Sequence, residues 1–280
     1  MSTLNSYVTL DQFKQYITAS GQTIGTDTTD DAVLDIILDG ASRYIDGETG
    51  GRTFYPRVET RYFSVPENTD GELLLDDDLL AVTTLTNGSS TDISSTDYNL
   101  LPRNMYPKYA VRLTPVSSVF WEWSSDGNDE YVISLLGTWG YHNQYASNAW
   151  ILATTISEDL TAGETSVDVT SASALQVGMI IKVDSELQLI TGIATNTLTV
   201  TCGHNGSTAA VHTSGASVYY WRPQADIYMA CMEIAVNAKA RRFGQNVTGA
   251  STVTPGGIVI GPHDIPETAA KTIERYRRLC

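Results

Sequence analysis

A block of about sixty residues, 154–217, constrains the fold of this chain most strongly. It is rich in threonine and small residues, and its short apolar runs are separated by Gly, Asn and Ser turn signals. About five short strands at such spacing are typical of a small barrel or sandwich. A strand pattern ending at Gly137–Tyr141 precedes the block, and a helical pattern begins after Val218–Pro223. We therefore interpret the block as a β-module inserted in a host domain.

The chain then divides into three parts. Residues 1–153 are predicted to form the first part of the host, residues 154–220 the inserted β-module, and residues 221–280 the C-terminal helices of the host. A Gly-, Thr- and Ser-rich run, 249–261, predicts a flexible link between those helices. The predicted fold class is α+β, with a helical core, a β-strand-rich middle region and an inserted small all-β barrel or sandwich.

Helical patterns occupy both ends of the chain. Thr9 and Gln12 have the spacing of a capping box ahead of a short helix. Apolar residues at helical spacing predict further helices at about 30–46, 226–242 and 264–279.

Residues 58–139 carry strand patterns instead. Asp76–Asp78 separates two apolar runs, and no Asp/Gly loop with a distal Glu follows it. This favours a solvated turn between two strands over a cation site. The aromatic run 119–123 is predicted to form a hairpin with 131–136.

The charge distribution limits the class of partner. The 280 residues carry a formal net charge of -15, which argues against a protein that grips nucleic-acid phosphates over its whole surface. Of 32 acidic residues, 21 lie at or before Glu130, whereas seven of the 17 basic residues lie between Lys239 and Arg278. An acidic front and a basic tail indicate two faces with different partners.

No signal for secretion or for a membrane partner is present in the sequence. The first residues lack the basic and apolar regions of a signal peptide, and no apolar run approaches the length needed to cross a bilayer. Three cysteines without framework spacing predict a reducing assembly compartment rather than structural disulfides.

No catalytic pattern is recognisable. The sequence has no Gly-rich phosphate loop, nucleophile elbow or paired-His motif, so we expect neither an enzyme nor a cofactor site. Cys202, His204 and His212 lie close together in sequence, but their spacing matches no standard zinc finger and a fourth ligand is missing. We therefore expect no metal site.

Aromatic residues are concentrated in one stretch of the host. They are candidates for a sugar-binding platform, but aromatic side chains at strand period favour a core and a subunit interface. The set comprises Trp121, Trp123, Tyr131, Trp139, Tyr141, Tyr145 and Trp150.

The basic tail is the most informative charged feature. Favourable interaction of cations with a helix C-terminus explains its charge, but not its contrast with an acidic chain. Docking on an acidic partner surface is favoured over a local DNA contact, because the apolar stripe of the same helix also needs a surface to pack on. The predicted residues that bind the partner, either a portal or a neighbouring subunit, are Lys271, Arg275, Tyr276, Arg277 and Arg278, with Lys239, Arg241 and Arg242.

Five segments of the host together resemble the head–tail connector (adaptor, or head-completion) proteins of tailed bacteriophages. They are Tyr7–Lys14, Thr29–Asp46, Gly51–Pro56, Gly137–Tyr141 and Ala240–Gly244. The inserted block, through Gly178–Glu186, Asn196–Thr201, Gly203–Ala210 and His212–Ala216, is similar to a β-module that recurs in phage virion proteins.

The resemblance implies a structural virion protein with a helical connector core. In the family, about twelve copies form a ring beneath the portal, join the capsid to the tail or neck, and extend the DNA channel. The implied partners are further copies of the chain, the portal protein and a tail or neck protein, while genomic DNA passes through the lumen without specific binding. The implied location is the head–tail interface of a virion assembled in the host cytoplasm.

Two other classes of function stay open on the sequence. The chain could be a virion decoration or carbohydrate-binding protein that acts through the β-module and exposed aromatic side chains. A hydrolase of unrecognised type is a third possibility.

Overall fold

The structure is a computed structural model and describes residues 5–20, 28–67, 71–242, 252–253, 259–260 and 265–278. The helices in these ranges are α1 (Leu10–Ala19), α2 (Asp31–Glu48), α3 (Tyr145–Asn148), α4 (Ala225–Arg242) and α5 (Glu267–Tyr276). The strands are β1 (Arg57–Phe63), β2 (Glu72–Thr86), β3 (Tyr98–Leu101), β4 (Lys108–Leu113), β5 (Ile133–Trp139), β6 (Trp150–Thr155), β7 (Ser166–Asp168), β8 (Ile180–Val183), β9 (Glu186–Ala194), β10 (Thr197–Thr201), β11 (Ser217–Trp221), β12 (Thr252–Val253) and β13 (Val259–Ile260).

The predicted fold class is wrong. The described residues form mostly β-sheet, in two large antiparallel sheets of five and six strands, and the helices are short. The chain is therefore not a helical core that carries an inserted barrel. The prediction relies on the helical patterns at the two ends of the chain. The strands of the middle region instead build an apolar core of their own around Trp139, Val111 and Leu135.

The five-stranded sheet has the order β1-β5-β2-β4-β3 and is antiparallel throughout. Strand β2 bends at register shifts, so that its first half pairs with β4 (Glu72 opposite Arg112) and its second half with β5 (Thr86 opposite Ser134). Bulges of this kind increase the local twist and curvature of a sheet.

Two predictions within this sheet are wrong. Asp76–Asp78 is not a solvated turn but the bend of the continuous strand β2, and Asp77 and Asp78 are buried. The run 119–123 is not a strand. Its expected partner, β5, already pairs with β1 on one side and β2 on the other, so no hydrogen-bonding edge is left for it.

The six-stranded sheet has the order β6-β11-β8-β9-β10-β7 and is also antiparallel. It comprises the chain from Trp150 to Trp221, and these two residues lie directly opposite each other where the chain enters and leaves the sheet. Its apolar core is separate from that of the first sheet and includes Val167, Ile181, Val183, Ile190, Leu198 and Val218.

The predicted capping box at the start of α1 is confirmed. Gln12 N donates to Thr9 Oγ1 at 3.2 Å, and Thr9 N donates to Gln12 Oε1 at 2.9 Å. Helices α1, α2, α4 and α5 share one apolar cluster, in which Phe13, Leu38 and Ile227 are fully buried. Of the predicted link 249–261, the structure describes the paired strands β12 and β13; the rest lies outside the described residues.

The six-stranded sheet is anchored on the rest of the chain by several contacts, two of which involve Trp221 and Gly206. Trp221 Nε1 donates a hydrogen bond to Phe54 O at 2.9 Å. The turn at Gly206 packs so closely on strand β1 that a Cβ atom there would lie 2.2 Å from Val58 O. Gly206 also has φ of 82°, a conformation that glycine adopts without steric cost.

Candidate interaction surfaces

A buried ionic cluster lies at the bend of β2. One oxygen of Asp77 accepts hydrogen bonds from Arg57 and Arg61, both on β1, at 2.7 Å each. Its other oxygen accepts from Arg278, close to the C-terminus. Arginines 57 and 61 lie on the same face of β1 because side chains alternate along a strand. The strand therefore presents two guanidinium groups to one carboxylate.

Asp78 completes the cluster at greater depth. Its Oδ2 accepts from Arg52 Nε at 2.8 Å and from Arg278 Nη2 at 3.0 Å, while its Oδ1 makes no hydrogen bond with any described residue. Arg278 Nη1 also donates to Asp76 O at 3.1 Å. Arg61 Nη1 donates to the carboxylate of Asp76 at 2.8 Å, so residues distant in sequence neutralise three consecutive carboxylates.

The pKa values of the two buried carboxyl groups, Asp77 and Asp78, are shifted in opposite directions. Burial acts to raise the pKa of Asp77, but the N–H of Asp78 and the guanidinium of Arg278 outweigh it, so that this pKa lies below its ordinary value. At Asp78 burial prevails over Arg52 and Arg278, and the pKa is raised. The difference follows from the geometry, since Asp77 has more guanidinium partners and Asp78 has an unpaired oxygen.

The C-terminal helix docks within its own chain. Tyr276 is buried, its hydroxyl donates to Asp226 Oδ2 at 2.5 Å, and Gln224 Nε2 donates to that hydroxyl at 2.8 Å. Arg52 Nη1 donates to Tyr276 O at 2.8 Å. The apolar stripe of α5, with Ala269 and Ile273, packs in the shared helical cluster. This stripe therefore needs no partner protein to cover it.

The predicted partner-binding residues separate into three groups. Tyr276 and Arg278 point into the molecule, and Lys239 is largely buried on α4. The side chains of Arg241 and Arg242 lie outside the described residues. The exposed members are Lys271, which pairs with Glu267, Arg275, whose Nη1 lies 3.6 Å from Asp226 Oδ2, and Arg277.

The aromatic stretch is likewise divided between core and surface. Trp139 is fully buried beneath the guanidinium of Arg61, which lies 4.6 Å from its ring centroid. Tyr141 packs against Phe54, and Trp150 against Trp221, in edge-on contacts. Exposed large apolar side chains are instead found on the loop 114–132, which we name the acidic aromatic loop: Val116, Phe120, Trp123 and Tyr131.

The acidic aromatic loop is held in place by hydrogen bonds. The amide of Asn87 donates to Phe120 O at 2.7 Å and accepts from Glu122 N at 2.9 Å. Val65 N donates to Asp129 O at 2.9 Å. Tyr131 has φ of 56°, a left-handed conformation that is rare for an aromatic residue. The loop is thus ordered while Phe120, Trp123 and Tyr131 face solvent, and Val119 and Trp121 pack against the core of the five-stranded sheet.

The aromatic set identified from the sequence includes Trp123 and Tyr131, but it does not include the exposed residues Phe120 and Val116. Phe120 is 72% exposed, Trp123 59% and Tyr131 69%. The loop contains four acidic residues and no basic one, which is the signal that could have identified it as a surface feature. Strained backbone and exposed aromatic side chains are typical of functional rather than structural segments.

The suspected zinc ligands are each engaged elsewhere. His212 lies between Asp184 Oδ2 and Glu186 Oε2, at 2.8 Å from each, and these two carboxylates raise its pKa against the lowering effect of burial. His204 contacts Asn5, and Cys202 Sγ donates to a backbone carbonyl. Within the described ranges, no group of three or more His, Cys, Asp or Glu side chains is arranged to hold a metal ion.

A cleft of about 620 Å³ lies between the six-stranded sheet and the helices. Aromatic rings of Tyr55, Tyr220 and Tyr228 line it, together with the amide side chains of Asn143 and Gln144. Its polar base is internally satisfied, since Gln224 Oε1 accepts from Asn143 N at 3.0 Å. The cleft thus presents aromatic rings beside the side-chain amides of Asn143 and Gln144.

The chain matches no model of a known protein family, and no curated protein is significantly similar to it. As for membranes, none of the helices in the part of the chain that the structure describes is long and apolar enough to cross one.

Proposed function

We propose that this protein is a structural subunit of a ring at the head–tail junction of a tailed-phage virion. The observation that carries the proposal is the acidic aromatic loop. Phe120, Trp123 and Tyr131 are exposed on an ordered segment, and a subunit interface is the usual reason for such a patch. The resemblance of the host segments to connector proteins supplies the biological setting.

The charge of the chain agrees with this role. An acidic lumen would repel DNA phosphates, so that a genome passes through without adhering, and a net charge of -15 favours such a lumen. The exposed cations Lys271 and Arg275 of α5, with Arg277 just after the helix, are the candidate contacts for a portal protein or a neighbouring subunit.

The test is binding to capsids that contain a portal but lack the connector. We expect the purified chain to co-sediment with these capsids, as measured by gel filtration with light scattering and by sedimentation. Capsids without a portal are the control. A chain that ignores portal-containing capsids would refute the proposal.

Removal of the last helix and the residues after it is not a suitable test of portal binding, because it also removes the buried contacts of Tyr276 and Arg278 that stabilise the fold. The variant Lys271→Glu with Arg275→Glu changes only exposed side chains and is the better probe of the α5 face. It should stay folded and bind portal-containing capsids more weakly than the unmodified chain.

The cleft beside the six-stranded sheet favours a second candidate function, carbohydrate binding. Rings and amide groups such as those of Tyr220, Tyr228 and Asn143 are the chemistry that neutral sugars need. Retention of the full chain on a glycan array, with loss in Tyr220→Ala, would support this candidate. An array without any retained glycan would dismiss it.

A further inference from the structure

Residues 203–212, which we name the docking segment, form part of the surface that packs the six-stranded sheet on the rest of the chain. The side chains of Asn205 and Asn5 exchange two hydrogen bonds of 2.9 Å. His204 Nε2 lies 2.8 Å from Asn5 Oδ1, and Gly206 packs on the backbone of strand β1. The orientation of the six-stranded sheet on its neighbours therefore depends on the position of this segment.

One buried carboxylate holds the docking segment from inside the six-stranded sheet. Glu186, the first residue of β9, is 1% exposed. Its Oε1 accepts a hydrogen bond from Gly203 N at 3.0 Å, and its Oε2 accepts from Ala210 N at 3.0 Å and lies 2.8 Å from His212 Nε2. Hydrogen bonds to an ionised acceptor are about twice as strong as those between neutral groups. Glu186 thus fixes both ends of the segment.

His212 lies between two carboxylates, in a contact that we name the His212 bridge. Its Nδ1 lies 2.8 Å from Asp184 Oδ2, and its Nε2 lies 2.8 Å from Glu186 Oε2. A neutral imidazole has a single N–H, so only the protonated ring donates to both carboxylates. The ring is held in place, because the backbone of His212 exchanges hydrogen bonds of 3.1 Å and 2.8 Å with Leu160 and its side chain is 1% exposed. The geometry therefore requires an imidazolium ion.

The neighbouring titratable groups have partners of their own. The thiol of Cys202 donates to a backbone carbonyl, and burial together with the charge of Glu186 raises its pKa. Asp159 accepts a hydrogen bond from Ser214 N at 2.7 Å. Burial lowers the pKa of His204, so this imidazole stays neutral at neutral pH. The charge of the bridge is therefore determined by its own three members.

We propose that the His212 bridge holds the docking segment on strand β1 only while its imidazole is protonated. Loss of the proton places a nitrogen lone pair against a carboxylate oxygen, so the bridge separates and the docking segment loosens. The six-stranded sheet then reorients on its neighbours while its own strands stay paired. The bridge does not depend on the proposed ring, because all its members lie within one copy of the chain.

The two sides of the bridge determine the pH range in which it holds. Burial acts to lower the pKa of His212, but the hydrogen bonds to Asp184 and Glu186 outweigh it and raise this pKa. The bridge is therefore complete below the ordinary imidazole pKa and is lost as pH rises through the folded value. Burial acts to raise the pKa of Glu186, but the N–H groups of Ala210 and His212 outweigh it, so this carboxylate protonates only in acidic solution. The docking segment should thus be held at neutral pH and released at alkaline pH.

The first test is amide hydrogen exchange of the full chain, corrected for the intrinsic effect of pH and combined with NMR titration of the His212 imidazole. The amides of Gly203 and Ala210 donate to Glu186, so their protection should fall by about tenfold or more as the imidazole loses its proton. The amide of Ile190, which bonds within the six-stranded sheet, is the internal control and should keep its protection.

The contact between the docking segment and strand β1 is measured in the same samples. Gly206 packs on the carbonyl of Val58, and a nuclear Overhauser effect between these two residues reports that contact. It should weaken over the pH range in which His212 titrates. A merely structural histidine would titrate without changing this signal.

Carboxylate variants separate the bridge from general effects of charge. Asp184→Asn removes one side of the bridge and should move the release to lower pH; asparagine also adopts the left-handed conformation of Asp184, whose φ is 51°. Asp159→Asn is the matched control, since Asp159 is exposed and bonds Ser214, and it should leave the release pH unchanged. His212→Gln should give a weakly protected docking segment at every pH, with thermal unfolding to verify the fold.

Three results would overturn the proposal. The first is a His212 imidazole that titrates at or below the ordinary imidazole pKa. The second is a docking segment whose protection and contact with β1 stay constant while that ring titrates. The third is an Asp184→Asn variant with the same release pH as Asp159→Asn. A His212→Gln variant that does not fold leaves these three measurements in force, because none of them uses it.

Discussion

Replacement of Arg278 by methionine should destabilise the protein far more than the same change at Arg277. The Arg278 guanidinium contacts Asp77 and Asp78, both buried, and its own side chain is only 23% exposed. Hydrogen bonds to charged groups contribute about 1.5–3 kcal/mol, and removal of one partner of a buried ion pair costs about 3–5 kcal/mol. Because other arginines still neutralise the cluster, we expect a loss of about 2–3 kcal/mol in the free energy of unfolding.

The measurement is denaturation followed by tryptophan fluorescence, together with thermal unfolding. For a chain of this size, the expected loss lowers Tm by about 4–10 °C. Arg277→Met is the matched control, since Arg277 is exposed, and it should stay within about 0.5 kcal/mol of the unmodified chain. Equal unfolding free energies for the two variants would refute the argument that the C-terminal arm is anchored by the cluster.

The pH dependence provides an independent check of the same reasoning. The pKa of Asp77 is lowered in the folded state, so its contribution to stability is present above the ordinary carboxyl pKa and is lost as pH falls through the folded value. Loss of Arg278 should raise that pKa. The stability difference between Arg278→Met and the unmodified chain should therefore shrink as pH falls below the ordinary carboxyl pKa and Asp77 becomes protonated. A difference that stays constant over the whole acid range in which the unmodified chain remains folded would show that Arg278 acts through packing alone.

Further predictions concern one contact and three titrations. Gly206→Ala should cost more stability than Gly215→Ala, because both glycines have positive φ but only the first would place its Cβ against a backbone oxygen; equal melting temperatures would contradict this. Burial raises the pKa of Asp46 to about 6, so stability should decrease as pH rises through that value, and Asp46→Asn should abolish the slope. Burial lowers the pKa of His142 to about 4, whereas Asp184 and Glu186 raise that of His212, which NMR titration of the two imidazoles should resolve.

A local signal in the sequence is sufficient to predict the start of helix α1, but no such signal predicts the buried charges. The Thr9–Gln12 capping box follows directly from residue types at a fixed spacing, and the structure contains it. The prediction that Asp77 lies in a solvated turn is wrong because three adjacent carboxylates are typical of exposed turns. Its burial depends on arginines that lie 16 to 201 residues away in the chain, and no local pattern contains that information.

The aromatic loop shows a different reason for error. The alternation at 119–123 has the period of a strand, but a strand also needs a vacant edge beside it. Strands β1 and β2 occupy both edges of β5. The amide of Asn87 instead binds the backbone of the run, so that Phe120 and Trp123 face solvent while Trp121 packs against the core of the sheet. Which segments pair with β5 therefore depends on all strands of the sheet and cannot be predicted from the segment 119–123 alone.

The pairing of Trp150 with Trp221 has a consequence for how this chain can evolve. Residues opposite each other in antiparallel strands have Cα atoms only about 5 Å apart, so the polypeptide leaves the six-stranded sheet beside the place where it entered. The segment between them can therefore be lost, or exchanged for another of any length, by joining two neighbouring ends with a short turn. A gene that encodes this chain can thus exchange about seventy residues in one recombination step and keep the chain path into helix α4, provided that the new segment covers Leu80 as Ile180 and Leu187 do here.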